Sequence, residues 1–71
     1  MKQYKTKSGK IQYMPSMEEV ADMDENGQGF CLACGNVQDY CEPDAKNYKC
    51  EDCGAPKVNG AAELALMGLC Y

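Results

Sequence analysis

The sequence predicts a small α+β domain held together by a bound metal ion. Three observations predict it: a short chain, two copies of Cys-x-x-Cys-Gly, and flanking segments that read as a hairpin and two short helices. The chain has 71 residues, enough for one domain but marginal for an apolar core unless something staples the fold. Its six cysteines can supply the staple, and their spacing decides between disulfides and metal.

Residues 1–10 are polar and carry Lys2, Lys5, Lys7 and Lys10, with no apolar run behind them of the kind a secretory signal needs. A reducing cytoplasm is therefore the expected setting, and paired cysteines there read as metal-binding or catalytic. No stretch is long or apolar enough to span a bilayer, so no membrane role is expected. The formal charge of −4 conceals an asymmetry: residues 11–71 hold three lysines and eleven acids, a formal −8. Such a body repels phosphates, and the chain has no arginine. Binding to nucleic acid is expected to be weak and confined to the lysine face, whereas a basic protein surface is the better partner.

The first element is a hairpin, Gln3 to Lys7 and Lys10 to Met14 around Ser8-Gly9. A two-residue loop of this kind sets Tyr4 opposite Tyr13 and Thr6 opposite Ile11, with Tyr4, Thr6, Ile11 and Tyr13 on one face. A short helix follows Pro15, because Ser16 and Glu19 have the spacing of a capping box and early acids suit the positive end of the helix dipole. Met17, Val20 and Ala21 form its expected buried stripe, and Asn26-Gly27 and Gly29 end it. A second helix is expected from Asn59 to Met67, capped by Asn59 or Gly60, ended by Gly68, with Leu64, Met67 and Ala61 facing the core. The chain thus divides into residues 1–28, hairpin plus helix, and residues 29–71, cysteine region plus helix, the two forming one cooperative domain.

Cys31-Leu32-Ala33-Cys34-Gly35 and Cys50-Glu51-Asp52-Cys53-Gly54 are two copies of one device. Two residues between cysteines let one tight turn aim both sulfurs at a point, and the following glycine permits a positive φ. Fifteen residues separate Cys34 from Cys50, within the range of four-cysteine zinc sites. Four thiolates close the tetrahedron, so Cys31, Cys34, Cys50 and Cys53 are read as ligands of one structural Zn2+ per chain with no open position for catalysis. Rubredoxins resemble the chain in their paired Cys-x-x-Cys-Gly knuckles, and ligand softness alone does not separate iron from zinc in a four-thiolate site. A redox dithiol of the thioredoxin kind needs one reactive pair rather than two equivalent ones.

Between the knuckles, Val37 to Cys41 is read as a strand, Pro43-Asp44-Ala45 as a turn and Tyr48-Lys49 as the strand entering the second knuckle, together a β-ribbon. Tyr40 and Tyr48 are expected to cover the metal site. Cys41 and Cys70 read as small packed thiols, or alternatively as a disulfide or ligands of a second metal.

The knuckles at Cys31 to Gly54 resemble those of the zinc-ribbon superfamily. More narrowly, the runs Gly29 to Gly35, Glu42 to Ala45, Tyr48 to Gly54 and Gly60 to Leu64 resemble small phage and prophage zinc-ribbon proteins of unassigned function. Cys53-Gly54-Ala55 followed by Ala61-Ala62 is similar in a weaker way to restriction alleviation zinc ribbons, without the Trp-Asn that those often carry. The resemblance implies a non-enzymatic zinc ribbon, in the host cytoplasm if phage-encoded, that modulates a host or defence complex. No histidine and no Gly-rich phosphate loop is present, so no catalytic constellation and no small-molecule substrate are expected. Candidate partner contacts are Glu42, Asp44, Glu51 and Asp52 on the acidic body and Lys5, Lys7 and Lys10 on the hairpin. The alternative reading is a nucleic-acid-binding ribbon related to transcription, and a minor one is an iron electron carrier.

Overall fold

The computed structural model describes residues 2–71; Met1, at the start of the lysine-rich arm, lies outside the described residues. In chain order the elements are β1 (Lys2–Lys5), β2 (Ile11–Met14), α1 (Met17–Asn26), β3 (Gly29–Cys31), β4 (Val37–Gln38), β5 (Tyr48–Lys49), β6 (Pro56–Gly60) and α2 (Ala61–Leu66). β1 and β2 form a hairpin of their own, and the other strands make a sheet of order β4-β3-β6-β5. The result is an α+β fold with two short helices.

The hairpin forms one register step away from the expected one. Lys5 lies opposite Ile11, Tyr4 opposite Gln12 and Gln3 opposite Tyr13. The cause is the turn: the Gly9 N–H bonds Thr6 C=O at 3.0 Å, the Thr6 N–H bonds Lys10 C=O at 2.8 Å, and Gly9 has φ +87°. Three residues therefore form the loop, a tight turn closed by a left-handed glycine. Because side chains alternate, a one-residue shift separates Tyr4 from Tyr13. Tyr4 donates its hydroxyl to Gln12 Oε1 at 2.7 Å, while Tyr13 packs on the core and its N–H bonds Leu32 C=O at 2.8 Å. Tyr13 thus helps tie the hairpin to the body.

Helix α1 begins as its sequence dictates. Ser16 Oγ accepts from the Glu19 N–H at 3.1 Å and Glu19 Oε1 accepts from the Ser16 N–H at 3.0 Å, the reciprocal capping box. Its buried residues are Val20 and Met23, not the expected Met17 and Ala21, which are exposed. The helix ends at Gly27, and Gly29 belongs to β3. Helix α2 starts at Ala61 rather than Asn59 and buries Ala61 and Leu64, leaving Met67 exposed at its end.

The largest departure from expectation is β6, whose residues carry no strand-like alternation. Pro56 opens it, Gly60 closes it, and Val58 is its one β-branched residue. Strand pairing overrides that weak local signal: Val58 lies opposite Cys31 on one side and Tyr48 on the other. Asn59 is consequently a buried strand residue and not a helix cap. Its Oδ1 accepts from the Asn47 N–H at 3.1 Å and its Nδ2 donates to Lys57 C=O at 3.2 Å, so the buried amide is satisfied.

Two apolar clusters follow from the alternation along β3. Phe30 joins Val20, Met23, Leu32, Ala61 and Leu64 beneath the helices, and Cys31 joins Cys41, Ala45, Cys50 and Val58. Among the described residues no helix is long and apolar enough to cross a membrane.

Candidate metal centre

Each knuckle is the connection between two adjacent strands in the chain, the first between β3 and β4 and the second between β5 and β6. Antiparallel pairing of β3 with β6 sets Cys31, at the end of β3, opposite Val58, near the start of β6. Both knuckles therefore lie at the same end of the sheet. Their main chains are hydrogen-bonded alike. In the first, Gly35 N–H bonds Cys31 C=O at 2.8 Å and Cys31 N–H bonds Asn36 C=O at 2.8 Å. In the second, Gly54 N–H bonds Cys50 C=O at 3.0 Å and Cys50 N–H bonds Ala55 C=O at 2.9 Å. Gly35 at φ +81° and Gly54 at φ +78° occupy the left-handed region that a Cβ disfavours, which explains why glycine follows each second cysteine.

This arrangement brings Cys31, Cys34, Cys50 and Cys53 together, with all four sulfurs within 4.8 Å of one another. Cys31 Sγ is 3.7 Å from Cys53 Sγ, and Cys34 Sγ is 3.7 Å from Cys50 Sγ. A regular tetrahedron with metal–sulfur bonds of about 2.3 Å has edges of about 3.8 Å, so these separations fit one central ion. They do not fit disulfides, whose sulfurs stand about 2.05 Å apart, and all six cysteines are unpaired. The four cysteines can hold one metal ion. Cys31 and Cys50 are buried, Cys34 is half-buried and Cys53 faces solvent.

The environments of the four thiols bear on how a cation would bind. A hydrogen bond from the Cys53 N–H, opposed by burial and aided by one from the Asp52 N–H, pulls the Cys50 thiol down to about 6. Burial is the first cause that pushes Cys34 up to about 12, and it pushes Cys31 up as well. At neutral pH Cys50 is thus a thiolate while Cys31 and Cys34 keep their protons. Loading a divalent ion must expel those protons, so affinity falls as pH falls. Expulsion of at least this pair predicts a decline of at least about a hundredfold per pH unit between pH 8 and 7. Calorimetric titrations in buffers of different ionisation enthalpy count the protons released; release of none would contradict this assignment.

The leftover cysteines separate. Cys41 is buried beside Cys31 and Cys50, and burial first, then the Glu42 charge, pushes its thiol up, so it packs as a neutral group. Cys70 packs against the cluster beneath the helices. The disulfide reading for this pair is therefore overturned. Cys41 lies inward because the chain reverses at Tyr40, which has φ +59°, and the Cys41 N–H bonds Gly27 C=O at 2.9 Å. The same reversal ends β4 at Gln38 and sends the Tyr40 ring fully into solvent, so Tyr40 does not cover the site as expected; Tyr48 is 44% exposed.

The expected partner contacts are all exposed, but in three places. Glu42 and Asp44 lie on the connection between β4 and β5, Glu51 and Asp52 lie inside the second knuckle, and Lys5, Lys7 and Lys10 surround the hairpin tip. Glu51 and Asp52 line a surface depression with Cys50 and Cys53, whereas Glu42 lines another with Asp39 and Tyr40. Sequence reasoning missed Gln38, whose Oε1 accepts from the Glu51 N–H at 3.2 Å and links β4 to the second knuckle beside the four cysteines. It also missed the exposed face between α1 and α2; the helical spacing of Met17, Val20, Ala21 and Asp24 was the available signal.

Comparison with known proteins adds no relative: no family model matches the chain, and neither the curated proteins nor the solved structures contain a significant match.

Proposed function

We propose that the four cysteines hold one structural zinc ion, that the sheet with its two knuckles is a zinc ribbon, and that the protein is a non-enzymatic module that docks on another protein. The observation that carries the proposal is the pair of 3.7 Å sulfur separations between two knuckles of matching main-chain geometry. Four thiolates leave the ion no position for water or substrate, so its role is to hold the fold. The acid excess of residues 11–71 supports a basic protein surface as partner and disfavours phosphates. The narrower reading, a phage-type accessory protein acting on a host or defence complex in the cytoplasm, rests on the resemblance of the knuckle and helix sequences. The nucleic-acid reading draws on the exposed Lys5, Lys7 and Lys10, which offer only a few phosphate contacts.

The test joins metal analysis to binding. Native mass spectrometry is expected to show one zinc per chain, and the zinc-loaded protein is expected to capture a protein from its natural host. Association of that partner with the Asp44→Lys, Asp52→Lys variant should be roughly tenfold slower at low salt, with a flatter salt dependence. Iron in place of zinc overturns the metal identity. Capture of nucleic acid alone overturns the docking reading, and an unchanged association rate removes the acidic loops from the contact surface.

A further inference from the structure

We propose that the groove between α1 and α2 seats an amphipathic helix of a partner protein, one that presents two apolar side chains on successive turns with lysines or arginines beside them. The inference rests on the protein-docking reading and goes beyond it, because it places the main contact on a different face from the acidic loops and specifies what fits there.

The groove has a volume of about 310 Å³ and is lined by Met17, Val20, Ala21 and Asp24 from α1, Ala61, Ala62 and Ala65 from α2, and Cys70. The α1 residues fall at i, i+3, i+4 and i+7, which aligns them along one stripe. Met17 is 65% exposed at one end of that stripe, and Leu66 at the end of α2 is 82% exposed. Alanines keep the floor low enough for another helix to approach, since interaxial distance depends on side-chain size at the contact. Six residues make α2 only about 9 Å long, so the groove spans about two turns of a partner helix and takes about two anchors, spaced i, i+4.

Charge selects the occupant. Asp24 lines the groove, and Glu18, Asp22 and Glu25 lie on α1 just around from Ala21 on its exposed side. Helix α1 contains no basic residue. An apolar seat with this rim complements leucine-like anchors flanked by cations and repels an acidic helix. A helix of that composition buries its anchors on the alanine floor, where contact with water is otherwise unfavourable, and places its cations over the acids.

The experiment titrates two short helical peptides into zinc-loaded, isotope-labelled protein. Both carry leucines at i and i+4 on an alanine background, one with lysines beside them and the other with glutamates. The lysine peptide is expected to bind at least roughly tenfold tighter, with resonance shifts centred on Val20, Ala21, Asp24, Ala61 and Ala65. The variant Ala62→Gln, Ala65→Gln alters two exposed positions, fills the floor without adding charge, and should weaken binding by about tenfold at unchanged zinc content. Equal affinity for the two peptides, or binding of neither, overturns the inference. Shifts centred on Glu42, Asp44, Glu51 and Asp52 overturn the groove while leaving the docking reading intact. Concentration-dependent shifts at the groove in the protein alone assign it to a second copy and also overturn the inference. The docking reading itself fails only on the separate host-capture experiment.

Discussion

Cys50→Ser is expected to yield a chain that binds no metal and does not fold. Cys50 is a buried cysteine whose sulfur accepts the N–H groups of Asp52 and Cys53, both at 3.4 Å, so it organises the second knuckle and offers a thiolate to the proposed ion. A structural four-cysteine site supplies a binding free energy of order 10 kcal/mol. That matches or exceeds the whole stability of an ordinary small domain, about 5–15 kcal/mol, and one ligand fewer removes most of it. The cluster of Cys31, Cys41, Ala45, Cys50 and Val58 is also too small to persist without the ion. Circular dichroism should show loss of ordered structure, and elemental analysis should show no zinc. Cys41→Ser provides the contrast, because Cys41 packs in the same cluster yet does not belong to the four-sulfur group. It should keep one zinc per chain and lose about 1–3 kcal/mol through a buried hydroxyl without a partner. If Cys50→Ser keeps its metal, or if Cys41→Ser loses it, the ligand set is wrong.

The four-cysteine cluster was legible in the sequence because the knuckle is a local device. Its cysteines, intervening pair and glycine all act within one turn, so spacing alone encodes the geometry. The capping box of Ser16 and Glu19 was legible for the same reason. What the sequence did not disclose depends on distant partners. Strand β6 has little strand propensity of its own and exists because β3 and β5 flank it, which also moved Asn59 from a supposed helix cap into a buried strand. The hairpin register turned on whether Ser8-Gly9 or Lys7-Ser8-Gly9 forms the loop, and one residue of difference put Tyr4 and Tyr13 on opposite faces. Met17 and Ala21 have the helical spacing of core residues, but α2 lies where it covers Val20 and Met23 instead. Periodicity identifies an apolar stripe; tertiary placement decides which part of it is buried.

Gly60→Ala should be strongly destabilising although it lies outside the four-cysteine cluster. Gly60 has φ −74° and ψ 166°, a conformation alanine adopts readily, so the effect is one of space and not of backbone freedom. A Cβ at this position would sit 2.5 Å from the Pro43 carbonyl oxygen and 2.6 Å from its carbon, and would collide with the Glu42 carbonyl oxygen as well. These are main-chain atoms that cannot rotate away. The segment they belong to also holds the start of α2: the Gly60 N–H bonds Ala45 C=O at 2.9 Å and the Glu63 N–H bonds Pro43 C=O at 3.1 Å. Displacing it releases helix-terminal donors that no side chain caps, because glycine occupies the N-cap. Overpacking typically costs about 1–3 kcal/mol and occasionally more, and unyielding backbone neighbours put this case at the upper end. Gly9→Ala separates this effect from ordinary glycine strain: its φ is +87° and the nearest atom to an added Cβ is Lys5 Cε at 3.9 Å. That change should cost only about 1–2 kcal/mol, the penalty of a side chain in the left-handed region. Both variants should keep one zinc per chain, since neither touches a ligand. Urea denaturation of the zinc-loaded proteins measures the difference. A Gly60→Ala variant no less stable than Gly9→Ala would mean that the Glu42–Pro43 segment is not packed on the start of α2.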